Sequence, residues 1–474
     1  MSIVDAFLIG MSALAFVYFV LLNSLNLLFT AIASITMATR VRARPYAGEE
    51  DAFASPITPG VSVLVPAFNE EVGIVESVRS LLALRYPRHE VVVVNDGSTD
   101  ATMERLHEEF DLVPVARVLR NGIAYAPVRG TFLSRRVPIL CVIDKENGGR
   151  ADALNAGVDA ASHPYVCAVD ADTLLDKDAL LQVVKPILDD PELVVATGGS
   201  IRVVNGSRVD HGFVVEQRLP RNRLATFQTL EYLRAFLVGR VGWSSLNALP
   251  LISGAFGVFQ RSLVEAVGGF STKTVTEDLE LVLRLHRYLR THGQPYRIAF
   301  VSDPVCWTEV PESLHSLSLQ RRRWQRGLGE SLWRHRRMIG NPHYGAIGLL
   351  SLPFLLFFEF FGAIIELGGL VATAAAFVLG LLSVWFVLLF FAFAFLLAIV
   401  LSVAASTLEQ FGLRRLPEAR DVGRLLAYTL FENFGYRQLV TVWRTIGYVD
   451  LARREKSWGA QERRGFKLTS GSEA

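Results

Sequence analysis

Residues 143–172 read IDKENGGRADALNAGVDAASHPYVCAVDAD, and this stretch decides the fold. The turn Gly148-Gly149 is followed by apolar and small residues at helical spacing, which predicts a helix. The residues on this spacing are Ala153, Leu154, Gly157, Val158 and Ala161. A cationic loop therefore leads into a helix, and the helix leads into the apolar segment Tyr165–Val169.

The short apolar segment Tyr165–Val169 predicts a buried strand. Asp170 and Asp172 follow it, at the carboxyl end where open α/β sheets place their ligand sites. These carboxylates are hard oxygen ligands for a divalent cation, while Lys145 and Arg150 supply positive charge for phosphates. The combination suits a metal-bound nucleoside diphosphate. Taken alone, an Asp-x-Asp pair is equally typical of an ordinary turn after a strand.

Alternating strand and helix patterns surround this stretch. The predicted elements are strands at 61–65, 90–94, 112–118, 193–204 and 298–301, and helices at 70–84 and 99–109. Near-continuous apolar strands separated by helices indicate an α/β fold whose mostly parallel sheet is covered on both faces. Residues 120–138, rich in Gly, Pro and Arg, interrupt the pattern and are predicted to form a loop.

Composition excludes several classes of protein. The chain has 474 residues, 51% hydrophobic and 20% charged, so we expect a soluble domain together with membrane segments. A formal net charge of +2 argues against a nucleic-acid partner. The 3 cysteines form no CxxC pair, which argues against a disulfide framework and a structural zinc site.

The N-terminal segment predicts a transmembrane helix. Residues 6–39 contain no charged side chain over 34 positions, whereas about 20 suffice to cross a bilayer. No Lys or Arg precedes Arg40, so a cleaved signal peptide is not expected. Arg40, Arg42 and Arg44 place the following domain in the cytoplasm and the N-terminus outside. We therefore expect a multi-pass protein of the inner or plasma membrane.

The remaining organisation follows from charge and hydropathy. Residues 344–408 predict two further transmembrane helices with a break near Gly380, and 424–449 predict an interfacial helix or another crossing. Arginine-rich helices at 219–241 and 312–337 fit a membrane surface or ordinary packing equally well. The expected domains are 1–40 (transmembrane helix), 41–60 (linker), 61–305 (α/β domain), 306–343 (amphipathic region), 344–408 (transmembrane pair) and 409–474 (cytoplasmic loop, helix and basic tail).

Two strand ends outside the opening stretch carry polar motifs. The segment 61–70 reads VSVLVPAFNE, and the segment 91–100 reads VVVVNDGSTD. Asp96, just beyond its strand, has the position of a carboxylate that binds a ribose hydroxyl or a base N–H. The alternative is a plain helix start, with Ser98 or Thr99 as the N-cap.

The segment Thr276-Glu277-Asp278 opens a predicted helix. Thr276 could simply cap this helix, with two acids favoured in its first turn. Alternatively, Asp278 is a general base that takes a proton from an attacking sugar hydroxyl, since a helix N-terminus favours the ionised carboxylate. The residues alone leave the two interpretations even.

The segment 320–326, QRRRWQR, is the densest cationic and aromatic cluster of the chain. One interpretation is a juxtamembrane patch that binds anionic lipid. The other is a binding function, in which an arginine holds a diphosphate and the tryptophan ring stacks on a sugar. We expect the arginines nearest the membrane to contact lipid in either case.

Taken together, VVNDGSTD, DAD, TED and QRRRW occur in the order found in membrane-integrated family 2 glycosyltransferases. The chain resembles this family, which includes cellulose, chitin, hyaluronan and poly-N-acetylglucosamine synthases, over about residues 61–337. QRRRW fits the pattern QxxRW of its processive members. The resemblance implies a GT-A fold and an inverting transfer from a nucleotide sugar with Mg²⁺ or Mn²⁺.

On the donor side, the resemblance implies that Phe68, Glu70 and Asp96 contact the nucleoside. Lys145 would contact the nucleotide or its phosphates, and Arg150 stands where many relatives have Lys. That change keeps the charge but alters its geometry.

The resemblance also assigns the metal and the acceptor side. Asp170 and Asp172 would serve the nucleotide and the metal, with Asp172 the direct ligand. Asp278 would be the base, and Glu277 would position the acceptor. Ser253 and Gly254 would lie near the acceptor sugar, while Gln320, Arg323 and Trp324 would border the diphosphate and the acceptor end.

The implied function is extension of a β-linked polysaccharide from a donor such as UDP-glucose or UDP-N-acetylglucosamine. Expected partners are the UDP-sugar, the polysaccharide acceptor, membrane lipids, and accessory export or regulatory proteins. The alternatives are a non-processive transferase that adds one sugar to a lipid and a catalytically inactive nucleotide-binding receptor. A transporter is disfavoured, although Glu359 and Glu366 lie in an apolar stretch.

Overall fold

The computed structural model describes residues 2–43, 58–120, 122–210, 212–413 and 419–453. Several sequence features lie outside the described residues: Arg44 and most of the expected linker, Arg414 and Arg415, and the basic tail from residue 454. The side chains at 40–43 are also not described, so the charges used for membrane orientation are not part of the structure.

The described chain divides into two compact units, which are treated separately below. The α/β unit comprises the described residues within 42–220 and 247–310, and the helical unit comprises those within 2–41, 221–246 and 311–453. The sequence indicated one α/β domain over 61–305. The observed division differs from this predicted domain chiefly at residues 221–246, which belong to the helical unit.

A ten-stranded sheet forms the α/β unit, in the order β3-β4-β5-β2-β1-β6-β11-β8-β12-β7. The strands are β1 Val61–Ala67, β2 His89–Asp96, β3 Leu112–Pro114, β4 Val128–Ser134, β5 Leu140–Lys145, β6 Tyr165–Val169, β7 Thr173–Leu175, β8 Val194–Val203, β9 Arg208–Asp210, β10 Phe213–Glu216, β11 Phe256–Gln260 and β12 Arg297–Thr308. β9 and β10 form a separate two-stranded sheet.

The sheet is mixed, with most strands in one direction, as a GT-A fold requires. β5, β2, β1 and β6 are consecutive parallel neighbours, and β8 pairs in parallel with β12. β4, β11 and β7 run antiparallel to the strands beside them. The α/β class with a mostly parallel sheet is therefore confirmed.

Two local predictions were wrong. Residues 120–138 are not a loop throughout, because β4 lies within them and pairs with β3 and β5. The predicted strand at 112–118 ends at Pro114. The half-buried residues of β4 alternate irregularly, with a register shift near Gly130, so its sequence gives little of the periodic signal of a strand.

Six helices flank the strands of the sheet in the described part of this unit, and the sequence predicted four of them, all but the fourth and fifth of the following set. They are Ile74–Leu82, Thr102–Phe110, Arg150–Ala160, Ala179–Asp189, Arg261–Ala266 and Glu277–Thr291. The core strands β1, β2 and β5 are almost entirely buried, so their valines, leucines and isoleucines provide the hydrophobic driving force for this unit.

Strand directions bring the predicted polar residues to one edge of the sheet. The parallel strands β5, β2, β1 and β6 end at Lys145, Asp96, Ala67 and Val169, and these carboxyl ends lie side by side. β11 runs the opposite way, with Phe256 opposite Val169, so the residues that precede β11 reach the same edge. This topology explains how distant sequence motifs meet.

The helical unit contains long apolar helices joined by kinks. Its main elements are Ile3–Ala43, Arg223–Leu233, Val241–Ser245, Leu314–Arg334, Gly362–Val378, Val384–Phe391, Leu397–Leu413, Ala419–Phe431 and Arg437–Arg453. Short helical turns at 234–240, 336–338, 342–344, 347–360, 392–396 and 432–436 connect or extend them. At Gly435 the backbone takes φ +93°, which separates the last two helices.

Within the described ranges, two helices are long and apolar enough to cross a membrane, Ile3–Thr39 and Val384–Thr407. A third span is possible if Ile347–Phe360 and Gly362–Val378, bent by 42° at their junction, act as one. Gly380, between this pair and the next helix, has φ +70° and marks the break that the sequence indicated. These apolar helices lie within the uncharged stretches of the sequence, and their crossing of a membrane stays a prediction.

Acidic residues in the apolar helices have partners within the helical unit. Tyr18 donates to Glu366 at 2.8 Å, and Arg437 lies 3.7 Å from the same carboxylate. Arg444 lies 3.2 Å from Glu359. These contacts give both acids a role in helix packing, so a transporter function is not needed to explain them.

A buried histidine makes the stability of the α/β unit depend on pH. His286 is fully buried between the hydroxyl of Tyr296 (2.7 Å) and the carbonyl of Leu249 (3.0 Å). Burial lowers the pKa of His286 from 6.5 to about 4. Since the unfolded state binds the proton more readily, stability is full above the unfolded pKa and falls as pH decreases towards 4.

We expect the unfolding free energy to fall by about 1 kcal/mol between about pH 7.5 and about pH 5.5 from this residue alone. Thermal unfolding of the purified protein across this range measures it. His286→Leu should flatten the slope even though it lowers stability at neutral pH. The exposed His343→Asn should leave the slope unchanged, and an unchanged slope in His286→Leu would contradict the assignment.

Candidate active site

The loops after β1 and β2 are tied to each other. Asn69, with φ +55°, receives a backbone hydrogen bond from Thr99 at 2.9 Å, and its own N–H donates to Ser98 Oγ at 3.0 Å. Phe68 is 48% exposed in this loop, whereas Glu70 is buried. An exposed aromatic ring at a sheet edge is available for stacking on a nucleobase.

Asp96 is held by the loop that follows β5. Lys145 Nζ donates to its Oδ1 at 2.5 Å, and the backbone N–H of Gly148 donates to the same oxygen at 3.0 Å. The N–H of Gly149 donates to Oδ2 at 2.7 Å. The carboxylate is therefore fixed in orientation and lies beside the Gly-Gly turn that the sequence singled out.

Lys145 is fully buried between two carboxylates. Its Nζ lies 2.5 Å from Asp96 and 2.6 Å from Asp152 Oδ1. Asp152 also accepts the N–H of Ala126 at 3.0 Å. In this arrangement the ammonium group positions Asp96, and its contact with a nucleotide phosphate stays a prediction.

The Asp-x-Asp pair lies at the carboxyl end of β6, as predicted. Both residues are half-buried, and burial, Asp170 and then Glu309 raise the pKa of Asp172 to about 7. Glu309 follows directly on β12, whose end is paired with β7 next to this pair. The clustered negative charge is therefore costly by itself and would be relieved by a cation.

The donor set fits a divalent cation that is shared with a substrate. Among the described residues, no group of three His, Cys, Asp or Glu side chains forms a metal-binding cluster. Mg²⁺ is usually bound by one or two carboxylates together with substrate phosphates, and not by an all-protein cage. Asp170 and Asp172 can supply that part, with oxygens of the kind that such ions prefer.

Arg150 lies at the centre of the edge. Its Nε donates to Asp170 Oδ1 at 2.7 Å, its Nη2 donates to the Gly254 carbonyl at 2.7 Å, and its Nη1 pairs with Glu277. Burial alone would lower the pKa of Arg150, but Asp170, Glu277 and Asp278 raise it overall. The guanidinium joins three protein segments, and the phosphate contact that the sequence indicated for it stays a prediction.

Glu277 and Asp278 begin the helix Glu277–Thr291, as the sequence predicted. Thr276 occupies the N-cap position, but its side chain makes no capping hydrogen bond. Glu277 is buried, and burial raises its pKa although Arg150 opposes this. Asp278 is half-buried, and its Oδ2 accepts the N–H of Gly254 at 3.1 Å. The predicted loop Ser253-Gly254 is thereby joined to the predicted base.

The QRRRW residues belong to the helix Leu314–Arg334 of the helical unit. Arg321 pairs with Glu231 at 2.5 Å and lies over the ring of Trp324 at 4.4 Å. Arg322 pairs with Asp450 at 2.7 Å. These two arginines thus have acidic partners in the protein, which disfavours the lipid contact expected for them.

Other members of this segment differ in exposure. Gln320 is buried and its Oε1 has no hydrogen-bond partner, whereas the Trp324 side chain is 38% exposed. Arg323 is half-buried. A buried acceptor and an accessible ring are suited to contacts with a polar, ring-shaped ligand.

Sequence reasoning missed two acidic residues at the edge, Asp152 and Glu309. Asp152 lies in the first turn of the helix that follows the Gly-Gly turn, so its place close after Lys145 in the sequence could have indicated a pair between the two. Glu309 follows a strand in the same way as Asp170 does. In both cases the signal is an acid beside a strand end or helix start.

Removing the charge of Lys145 should destabilise the α/β unit strongly. Lys145→Met leaves Asp96 and Asp152 facing each other without a cation, and breaking a buried pair in this way costs about 3–5 kcal/mol. Denaturant unfolding measures the loss. The control Lys177→Met removes an exposed lysine and should change stability little; equal effects of the two variants would contradict the structural role of Lys145.

Comparisons with known proteins bear on the family and the fold of this chain. A family profile described as "Glycosyl transferase family group 2" matches residues 165–403, and one described as "Glycosyl transferase family 2" matches residues 62–130. A solved structure titled as a mannosyltransferase from Pyrobaculum calidifontis in complex with GDP-Man and Mn²⁺ covers 90% of this chain and 100% of its own. Its TM-score is 0.51 at 21% identity, a likeness of fold.

Curated relatives share more sequence over part of the chain. Poly-beta-1,6-N-acetyl-D-glucosamine synthase of Staphylococcus aureus (strain COL) is 32% identical over 277 residues, which are 58% of this chain and 56% of that protein. The synthase of the same name from Staphylococcus epidermidis is 30% identical over 282 residues, with the same coverage. The chain therefore spans about half the length of the relatives it matches. Since the profile described as "Glycosyl transferase family group 2" alone matches half of the chain, the chain belongs to the family 2 glycosyltransferases.

Proposed function

We propose that the protein is a processive inverting glycosyltransferase that extends a β-linked polysaccharide from a UDP-sugar. The observation that carries the proposal is the meeting of Asp96, Asp170, Asp172 and Asp278 at one edge of the sheet. The first three follow strands and suit a nucleotide and its diphosphate, whereas Asp278 lies in the first turn of a helix and suits the acceptor. A donor side and an acceptor side are thus both present.

Asp278 acts as the general base. Its Oδ2 accepts the N–H of Gly254, and its Oδ1 accepts the N–H of Leu279 at 2.8 Å, so two backbone donors fix the orientation of the carboxylate. The ionised carboxylate takes the proton of the acceptor hydroxyl, which then attacks the anomeric carbon from the face opposite the leaving UDP. One carboxylate suffices, because a nucleoside diphosphate needs no acid catalyst to leave, unlike the leaving group of a glycoside hydrolase.

Donor recognition uses the fixed edge residues. Phe68 offers an exposed ring to the base, and Asp96 has its Oδ2 held by one backbone N–H, which leaves acceptor capacity for a nucleoside N–H or hydroxyl. Lys145 keeps Asp96 in this orientation. Glu277, buried beside Asp278, positions the acceptor end of the site.

A divalent cation, Mg²⁺ or Mn²⁺, held by Asp170 and Asp172 would supply positive charge to the diphosphate leaving group. The half-buried position of these carboxylates fits that role. Asp172, with a pKa raised to about 7 by burial and neighbouring acids, is the group that gains most from a cation.

The polymer product is supported by two observations. Curated relatives are named as polysaccharide synthases of N-acetylglucosamine, which favours UDP-N-acetylglucosamine as the donor. The QRRRW segment fits the processive pattern, and Trp324 presents an accessible ring for an acceptor sugar. Two or three membrane-spanning helices would anchor the chain in the inner or plasma membrane, with the α/β unit in the cytoplasm.

Asp278→Asn should abolish transfer while UDP binding persists. The amide keeps the size of the side chain but cannot take a proton, and loss of general-base catalysis typically costs about 10²–10⁴-fold in rate. Turnover is measured as UDP released by purified protein in nanodiscs, and UDP affinity by calorimetry.

The control for this experiment is Asp189→Asn, which changes an exposed acid at the end of a helix away from the edge residues. It should keep full turnover. Turnover of Asp278→Asn within about threefold of the unmodified protein would remove Asp278 as the base, since a base contributes at least about 10²-fold.

Trp324→Ala should shorten the product more than it slows the first transfer. Stacking of a sugar on an aromatic ring helps to retain the growing chain between additions, and its loss favours early release. Product length is read by gel separation of radiolabelled chains. Trp333→Ala, which removes a 73% exposed ring from the same helix, should leave the length distribution unchanged. Equal shortening in both variants would contradict a specific role for Trp324.

A further inference from the structure

The position of Arg150 differs from that of a ligand for phosphates. Arg150 begins the helix Arg150–Ala160, and its side chain is only 13% exposed. Each of its three nitrogen atoms has a protein partner: Nε has Asp170, Nη2 has the Gly254 carbonyl, and Nη1 has Glu277. The guanidinium is therefore engaged before any substrate arrives.

We propose that Arg150 is a positioning residue that fixes the acceptor half of the site, Gly254, Glu277 and Asp278, to the donor carboxylate Asp170. The inference rests on the proposed function and assigns to Arg150 a role other than donor binding. Its effect on the reaction is exerted through Asp278, which it does not contact by a hydrogen bond.

The first connection to Asp278 runs through one peptide segment. The carbonyl of Gly254 accepts from Arg150 at 2.7 Å, and the N–H of Gly254 donates to Asp278 Oδ2 at 3.1 Å. Because both groups belong to the same residue, a shift of the guanidinium moves the donor that orients the base.

The second connection runs through the helix start. Glu277 directly precedes Asp278, and its buried carboxylate is paired with Arg150. Without that cation, Glu277 would be an uncompensated buried acid, and the first turn of the helix would have to rearrange. Two independent contacts of one side chain thus determine where the base lies.

The shape of the guanidinium explains why an arginine serves here. Its N–H groups lie in one plane and point in different directions, so it can join three acceptors that a lysine ammonium would serve only as a point charge. Gly254 allows the close approach: a Cβ built on it would lie 2.9 Å from Arg150 Nη2. Both residue types are therefore matched to the contact.

Arg150→Gln separates positioning from binding. We expect kcat to fall by about 10²-fold, because a displacement of about 1 Å of a reacting group costs that much, while the affinity for UDP with Mn²⁺ stays within about threefold. Arg150→Lys should recover part of the rate. Arg287→Gln, an exposed arginine on the helix that begins with Glu277, is the control and should behave as the unmodified protein.

A double-mutant cycle tests the coupling directly. If Arg150 acts through Glu277, the effects of Arg150→Gln and Glu277→Gln on kcat should be strongly non-additive, whereas independent roles would give additive effects. Gly254→Ala disturbs the same contact from the other side and should lower kcat in the same way. If circular dichroism shows that Arg150→Gln does not fold, the Gly254→Ala variant tests the same contact in its place.

Three results would overturn the inference. The first is a loss of UDP–Mn²⁺ affinity of more than about tenfold in Arg150→Gln with kcat retained, which would make Arg150 a donor ligand after all. The second is additivity in the cycle. The third is normal kcat in Gly254→Ala. If the unmodified protein turns over no nucleotide sugar, the proposed function fails and this inference fails with it; if it does, only the inference is at stake.

Discussion

Neutralisation of buried acids by two cations is the constraint on which the edge of the sheet depends. Lys145 is fully buried between Asp96 and Asp152, and Arg150 joins Asp170 to Glu277. Carboxylates that a nucleotide site requires are mutually repulsive when they lie together away from water. The two cations offset this repulsion before substrate binds, with Lys145 at the end of β5 and Arg150 at the start of the following helix.

This arrangement separates the tasks of the cations from those of the acids. Each cation orients carboxylates, and under the proposed function the carboxylates contact the ligands. Burial, Asp170 and Glu309 raise the pKa of Asp172 to about 7, although Arg150 opposes this. A cation at the end of β6 would relieve this clustered negative charge, and under the proposed function a metal-bound diphosphate would supply it.

The sequence predicted the α/β class, the central strands β1, β2 and β6, and the position of Asp170 and Asp172. Those features depend on local hydrophobic pattern and on the rule that ligand sites lie at the carboxyl ends of parallel strands. It failed for β4, whose irregular exposure hides its pairing. The sequence did not indicate the acidic partners of Lys145 and Arg150, because a cation that binds phosphate and a cation that pairs with a buried acid look alike in sequence; contact of either residue with a phosphate stays a prediction.

The central claim, transfer from a UDP-sugar into a polymer, is tested most directly by a donor screen of the purified protein in nanodiscs. UDP-glucose, UDP-N-acetylglucosamine, UDP-galactose and a GDP-sugar are compared by released nucleotide and product size. The account predicts nucleotide release from a UDP-sugar, with UDP-N-acetylglucosamine preferred, together with a ladder of long products. A single added sugar, or binding of UDP without turnover of any donor, would contradict it.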